Sequence, residues 1–180
     1  MRILFLSAVE FELDAARRAW GGGDAEYLAT GIGAEATVRA LEEKFGGGSI
    51  FDRVVDLGVA GSSTERFPIG SVVHVTRERH GENPAAWFVQ ENPWPELGFL
   101  PSASGHTLQE LSDHLRSPGA EIETMEGAAF FETCLRHGIP FAEIRAVSNR
   151  VGERDHALWD IPLALRNLET ALRTLKTLLK

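Results

Sequence analysis

The stretch that decides the fold is residues 2–8, RILFLSA, a short apolar run near the amino terminus. Its apolar residues do not alternate with polar ones, which is typical of a strand buried on both faces of a sheet. Residues 10–20, EFELDAARRAW, follow at once and carry apolar side chains at helical spacing, at Phe11, Ala15, Ala16 and Ala19. Three glycines, at residues 21–23, end this segment. A buried strand followed directly by an amphipathic helix predicts the first unit of an α/β sheet.

The same alternation of strand and helix continues along the chain. Strands are predicted at residues 25–30, 51–57, 71–76 and 141–148, and helices at residues 34–45, 106–115, 125–137 and 162–179. A glycine-rich turn is predicted at residues 58–62, and short strands joined by ordered loops at residues 77–105. The pattern predicts an α/β protein with one domain over residues 1–180, a twisted mixed β-sheet flanked by helices on both faces.

Composition excludes several classes of protein. The chain has 18 Lys+Arg against 26 Asp+Glu, a net charge of −8, which argues against a nucleic-acid or anionic-membrane partner. A hydrophobic fraction of 43% is too high for a mainly disordered chain. No stretch approaches the roughly 18 apolar residues of a membrane span, and the first apolar run lacks the features of a signal peptide. We therefore expect a cytoplasmic protein.

Cysteine and histidine usage gives no sign of a metal site. Cys134 is the single cysteine, lies in a predicted helix and is expected to be a buried, inert thiol. The six histidines lack metal-ligand spacing, so we expect neither a metal nor another cofactor. His80 and His106 fall in the middle region and are expected to be solvated, the alternative being that they line the pocket.

A glycine motif follows the second predicted strand. Residues 31–36, GIGAEA, fit the relaxed dinucleotide fingerprint G-x-G-x-x-A, and Asp56 ends the next predicted strand. The fingerprint normally follows the first strand of its domain, whereas here a complete strand and helix precede it. Tight turns between strands and helices also use glycine, and this remains the alternative interpretation.

Polar residues stand at the ends of several predicted elements. Glu126 enters a helix whose next residues are small, and Ser148 and Asn149 end a strand. Glu12, on the first turn after strand one, falls in the same region, because ligands of open α/β sheets bind outside the carboxyl ends of the strands. Glu126 can accept hydrogen bonds from two sugar hydroxyls. A carboxylate in a first helical turn is also favoured by the helix dipole, so a structural role is the alternative.

These residues carry a family resemblance. The matching pieces are residues 7–12, SAVEFE; 30–33, TGIG; 57–61, LGVAG; 69–73, IGSVV; 123–129, ETMEGAA; and 139–149, which begins IPF and ends SN. The sequence resembles the nucleoside phosphorylase and nucleosidase family, especially its methylthioadenosine/adenosylhomocysteine nucleosidases. The segment from Ser148 to Asp155 and the WDIP at residues 159–162 resemble the futalosine hydrolase branch most.

The resemblance implies roles for individual residues. Glu126 would hold the ribose hydroxyls and the Met125 backbone would lie along the sugar. Glu12 would act on the attacking water, and Arg145 would help to place that water. Ile32 and Val59, in the matching glycine segments, would contact the substrate.

Three departures from the family pattern are informative. Adenine-specific nucleosidases carry Asp where this chain has Asn149, and an amide can donate to a 6-keto oxygen and accept from a protonated N7. Asp56 stands where phosphorylases carry a phosphate-binding arginine, which favours water as the nucleophile. The chain is also short across residues 77–120, where Phe99 and Trp87 are the candidates for stacking on the base.

The resemblance therefore implies hydrolysis of the N-ribosidic bond of futalosine, releasing hypoxanthine, in menaquinone biosynthesis. Alternatives are another purine nucleosidase, of methylthioadenosine or inosine type, and a non-catalytic nucleoside-binding protein. Futalosine carries a benzoate at its 5′ side, which Arg154, with Arg150 as second choice, would bind; the alternative is a solvated arginine paired with Glu153 or Asp155. The expected partners are a nucleoside and further copies of the chain, in a homodimer or higher homo-oligomer.

Overall fold

The computed structural model describes residues 1–80, 87–109, 119–153 and 155–180. In these ranges the strands are β1 (Ile3–Ser7), β2 (Ala25–Ala29), β3 (Arg53–Ser62), β4 (Val72–His80), β5 (Trp87–Val89), β6 (Ser102–Thr107), β7 (Ile122–Thr124) and β8 (Phe141–Arg150). The α-helices are α1 (Glu10–Trp20), α2 (Ala34–Gly46), α3 (Gly127–His137) and α4 (Ile161–Leu178). Short 3₁₀ turns lie at Pro95–Leu97 and His156–Leu158.

The sheet is mixed, as predicted. β1 pairs in parallel with β2 and β3, and β3 also pairs in parallel with β8. The end of β3 pairs antiparallel with β7. In turn, β7 pairs with β6, β6 with β4, and β4 with β8. Strands β3, β7, β6, β4 and β8 therefore close into a ring, from which β1 and β2 extend on one side and β5 on the other. The carboxyl ends of β1, β3 and β8 meet at one edge of this arrangement.

Helices cover both faces of the sheet, which confirms the predicted α/β architecture. Successive residues of β1 enter different cores, Ile3 and Phe5 on one face and Leu4 and Leu6 on the other. Helices α1 and α4 pack on the first face, and α2 and α3 on the second. Complete burial explains why the β1 sequence is continuously apolar rather than alternating. Among the described residues, no helix is long and apolar enough to cross a membrane.

Two local predictions are wrong. Residues 58–62 are not a turn, because they continue β3 and are hydrogen-bonded to β8 throughout and to β7 at the end. The predicted helix at residues 106–115 is contradicted at His106 and Thr107, which lie in β6, and residues 110–118 fall outside the described ranges. Helix α3 begins two residues later than predicted, with Glu126 as its N-cap residue. Cys134 is buried as expected, and burial raises the pKa of its thiol well above the ordinary value.

Candidate active site

A cavity of about 320 Å³ lies where β1, β3 and β8 end. Seven residues selected from the sequence line it together, namely Glu12, Ile32, Val59, Met125, Glu126, Arg145 and Asn149. The eighth, Arg154, lies outside the described residues. The remaining lining includes Phe11, Leu108, Glu123, Val151, His156 and Trp159.

Glu12 is fixed by hydrogen bonds from two strands. It lies in the first turn of α1 and is only 5% exposed. The Ser7 hydroxyl, at the end of β1, donates to Oε2, and the Val59 backbone N–H donates to Oε1 at 2.9 Å. Burial raises the pKa of the Glu12 carboxyl above its ordinary value, although these hydrogen bonds act in the opposite direction. A carboxylate with a raised pKa is a better proton acceptor, as general-base catalysis requires.

Arg145, on β8, is held in place by two buried carboxylates. Its Nε donates to Glu143 Oε1 at 2.7 Å, and its Nη2 donates to Asp56 on β3. Burial alone would lower the pKa of the guanidinium, but Asp56 and Glu143 raise it above the ordinary value, so Arg145 stays charged. Asp56 does not line the cavity. The argument from Asp56 for water as the nucleophile is therefore wrong, because this carboxylate pairs with Arg145 and does not face the cavity.

Arg145 and Glu12 also meet over a glycine. A Cβ built on Gly58 would lie 2.7 Å from Arg145 Nη1 and 3.0 Å from Glu12 Oε2. The absence of a side chain at Gly58 allows the guanidinium and the carboxylate to approach the same point of β3. The guanidinium next to the Glu12 carboxylate therefore has a fixed orientation.

Glu126 bridges the cavity to the glycine motif. Its Oε1 accepts from the Gly33 backbone N–H at 2.9 Å, and its side chain is 6% exposed. This N–H stands at the start of α2, where a dinucleotide phosphate would have to bind. A carboxylate in that position argues against the dinucleotide interpretation and supports the one that uses the glycines for a tight turn.

Asn149, near the end of β8, has a defined amide orientation. Its Oδ1 accepts from the Ser148 hydroxyl at 2.8 Å, and its Nδ2 donates to the Arg150 carbonyl at 3.0 Å. The amide carries a second N–H, which leaves one donor for a ligand in the cavity.

Three buried carboxyl groups lie close to the cavity but outside its lining. Glu78, Glu143 and Asp56 are all essentially unexposed, and burial raises the pKa of each carboxyl. A Cβ built on Gly127 would lie 2.5 Å from Glu78 Oε1 and 2.9 Å from Glu143 Oε1. The start of α3, which carries Glu126, is therefore packed directly on carboxyl groups.

Several sequence candidates do not line the cavity. Phe99 is 42% exposed, and neither it nor Trp87 lines the cavity, so the candidates for stacking on the base are wrong. Arg150 pairs instead with Glu65 at 2.8 Å and donates to the Thr64 carbonyl. His106 lies in β6 and is buried rather than solvated, and its register partner on β4 is Arg79.

His80 lies in a separate groove of about 520 Å³, between α2 and α3. In the described ranges, no group of three or more His, Cys, Asp or Glu side chains could hold a metal ion.

Sequence reasoning missed several residues of the site. Glu143 is adjacent in space to Arg145, but nothing in its sequence context distinguishes it from an ordinary strand residue. Ser7 bonds to Glu12 and opens the matching segment at residues 7–12, although it was given no role. Glu123 is different, because it stands three residues before Glu126, so the sequence contained a usable signal. His156 and Trp159, whose ring centroids are 4.3 Å apart, line the cavity from the segment after β8.

The fold and part of the sequence match known proteins. A crystal structure of a 5′-methylthioadenosine/S-adenosylhomocysteine nucleosidase from Colwellia psychrerythraea, in complex with adenine, superposes with a TM-score of 0.80. It is 20% identical and covers 99% of this chain and 96% of that one. A family model described as the phosphorylase superfamily matches residues 97–180. Together these matches define the class, an α/β protein with the nucleosidase fold.

Sequence relatives narrow the class to one family. The futalosine hydrolase of Streptomyces coelicolor is 31% identical over all of this chain and 97% of the relative. That of Acidothermus cellulolyticus is 52% identical over 60 residues, 33% of this chain and 25% of the relative. The chain belongs to the futalosine hydrolase family. The first alignment spans 231 positions whereas this chain has 180 residues, so the relative carries residues that this chain lacks.

Proposed function

We propose that the protein hydrolyses the N-ribosidic bond of futalosine and releases hypoxanthine and dehypoxanthine futalosine, a step of menaquinone biosynthesis. The observation that carries the proposal is the pair of buried carboxylates, Glu12 and Glu126, that line one cavity in a member of this family. Binding alone would not require a carboxylate with a raised pKa, so the pair favours catalysis over a non-catalytic nucleoside-binding protein.

In the proposed reaction the bond between C1′ of the ribose and N9 of the base breaks, and the base leaves with the electron pair. The sugar becomes cationic, as in glycoside hydrolysis, and the negative field of Glu12 and Glu126 stabilises it. Water bonds to C1′ and gives one proton to Glu12. The base gains a proton at N7 from solvent, and Asn149 Oδ1 accepts a hydrogen bond from it. Glu126 holds the ribose hydroxyls, with the Met125 backbone alongside.

The charges around the cavity favour water over phosphate as the nucleophile. Among the lining residues in the described ranges, Arg145 is the one arginine or lysine, against the carboxylates of Glu12, Glu123, Glu126 and Glu153. Arg145 is already paired with Asp56 and Glu143. An incoming phosphate dianion would meet excess negative charge.

The test is base release from a panel of nucleosides with and without phosphate. We expect hypoxanthine from futalosine at the same rate in phosphate-free buffer and in phosphate, with a free sugar hydroxyl at C1′. Formation of a ribose 1-phosphate product would contradict the proposal. Faster cleavage of methylthioadenosine than of futalosine would favour the alternative, a nucleosidase of the type found among the structural neighbours.

Changing Asn149 to Asp is expected to weaken cleavage of 6-oxopurine nucleosides. A carboxylate at this position repels the keto oxygen that the amide N–H would bind, and unmet polar groups of this kind cost a site about tenfold or more. The 6-aminopurine nucleosides should lose less or improve. The measurement is kcat/KM for inosine and adenosine, and an unchanged ratio would show that Asn149 does not contact the base.

Changing Arg154 to Ala is expected to raise KM for futalosine by about ten- to a hundredfold, the effect of one charged hydrogen bond. An arginine suits the benzoate because its planar fork binds a carboxylate bidentately. Inosine, which shares the base and lacks the benzoate, is the control. Equal losses on both substrates, or none, would contradict this assignment of Arg154.

Two further parts of the proposal concern the state of the protein in the cell. We propose a cytoplasmic enzyme that forms a homodimer or higher homo-oligomer. Cell fractionation and light scattering of the purified protein test these two statements separately.

A further inference from the structure

One row of residues crosses the sheet beneath the cavity. Asn149 on β8 is in register with Gly61 on β3, and Gly61 is in register with Glu123 on β7. Residues in register on neighbouring strands place their side chains on the same face. Asn149, Gly61 and Glu123 all line the cavity, so this face is the one that a ligand meets.

Because Gly61 has no side chain, the row has a gap at its centre. A Cβ built there would lie 3.2 Å from Asn149 Nδ2, because the amide reaches over the glycine. Glu123, on β7, is the register partner of the same glycine on its other side. The cavity lining thus includes an amide and a carboxylate from the two strands that flank Gly61, with apolar side chains of Leu108 and Val151 also in its lining.

The two groups match one edge of a 6-oxopurine. Read in order, that edge carries the N7 acceptor, the O6 acceptor and then the N1–H donor, whereas a 6-aminopurine carries an amino donor at C6 and a bare acceptor at N1. Asn149 can donate its one free N–H to O6, and its Oδ1 can accept from N7 once N7 is protonated. The next group along the row must accept a hydrogen bond, and a carboxylate is an acceptor with no competing donor.

We propose that Glu123 binds the N1–H of the hypoxanthine ring and is the residue that selects 6-oxopurine over 6-aminopurine nucleosides. This rests on the proposed function, because it places the purine of the substrate in the described cavity. The carboxylate of Glu123 faces a donor in hypoxanthine and a lone pair in adenine. One residue therefore attracts the first base and repels the second, and such pairing gives stronger selection than shape alone.

The same row continues onto β6 and β4 with two basic side chains. His106 on β6 is in register with Glu123, and Arg79 on β4 is in register with His106. Both are buried, at 3% and 2% exposure. The row thus places a guanidinium two strands away from Glu123, at roughly 10 Å.

The first experiment compares Glu123→Gln with the unaltered protein on inosine and adenosine, or on futalosine and its 6-amino analogue. The glutamine keeps the size of the side chain and removes the charge. It also adds an N–H that can donate a hydrogen bond to adenine N1. We expect kcat/KM for the 6-oxopurine to fall by about ten- to a hundredfold, while the 6-aminopurine is unchanged or improved. Equal changes on both substrates, or no change, would overturn the proposal.

The matched control is Glu132→Gln, which makes the same charge change at an exposed position of α3 away from this cavity. It should leave the ratio of the two substrates unaltered. A ratio that shifts equally in this variant would mean that net charge, rather than contact with the base, sets the preference, and would overturn the proposal.

A second experiment does not depend on the stability of the variant. Free hypoxanthine and 1-methylhypoxanthine are compared as ligands of the unaltered protein by calorimetry. Because the methyl group replaces the N1–H, we expect binding to weaken at least tenfold, and Glu123→Ala to reduce this difference to within about threefold. Equal binding of the two bases to the unaltered protein would overturn the proposal. If hypoxanthine binds selectively but no nucleoside is cleaved, the proposed function fails and the assignment of Glu123 stands.

Discussion

Replacing Glu12 by glutamine is expected to lower kcat for futalosine hydrolysis by about 10²–10⁴-fold. The amide is close in shape and can still accept the Val59 N–H, but it cannot take a proton from water. The loss should fall on kcat with little change in KM, because the sugar contacts assigned to Glu126 remain. The measurement is steady-state kinetics on the purified variant.

The control for this prediction is Glu10→Gln, on the same helix, whose side chain is 69% exposed and pairs with Arg17. It should keep full activity. A loss of less than about tenfold in Glu12→Gln would show that Glu12 is structural.

The pH profile of the unaltered protein gives a second check. Burial raises the pKa of Glu12 above its ordinary value of 4.5, and Arg145 and Glu126 act on it in opposite directions. A general base must be deprotonated, so activity falls as the pH drops through this raised pKa. In Glu12→Gln that acidic limb should disappear.

Replacing Arg145 by methionine is expected to destabilise the fold by about 3–5 kcal/mol, because it leaves Asp56 and Glu143 buried without their cation. Methionine has a similar length and is apolar, so the loss reports the charge rather than a cavity. Urea unfolding followed by circular dichroism measures it. Arg17→Met removes a half-exposed arginine that pairs with Glu10 and Asp14, and should cost no more than about 1 kcal/mol.

The loss in Arg145→Met should depend on pH with a definite sign. Burial already raises the pKa of Asp56 and of Glu143 in the folded protein, and Arg145 opposes that rise. Without Arg145 both folded-state pKa values rise further above the unfolded values. The destabilisation then grows as the pH increases above the ordinary carboxyl range and shrinks toward acid. A loss that is the same at pH 5 and pH 8 would contradict this account of Arg145.

The parts of the fold that could be predicted from sequence are those governed by local patterns. The buried strand β1, the amphipathic helix α1 and the leucine-rich helix α4 each carry their own signal, and each was predicted nearly to its ends. The prediction at residues 58–62 failed because glycine favours turns, whereas pairing with β8 along its length holds this segment in a strand.

The site was predictable where a motif marks it and not where only packing does. Glu12, Glu126 and Asn149 stand at element ends, and the cavity brings them together. Asp56 was misassigned because its neighbour in space, Arg145, is 89 residues away in sequence. The alignment of Asn149 with Glu123 depends on the register of three strands, which no local pattern encodes.

The glycine beneath Glu12 and Arg145 has a consequence for which sequences the family can tolerate. Gly58 has an ordinary strand conformation that any residue could adopt, since it is not among the glycines with positive φ. What excludes a side chain is the pair of buried neighbours, with an arginine nitrogen and two carboxylate oxygens occupying that space. Position 58 must therefore remain without a side chain because of its neighbours. A single methyl group there would displace the Arg145 guanidinium and the Glu12 carboxylate, although neither residue had been changed.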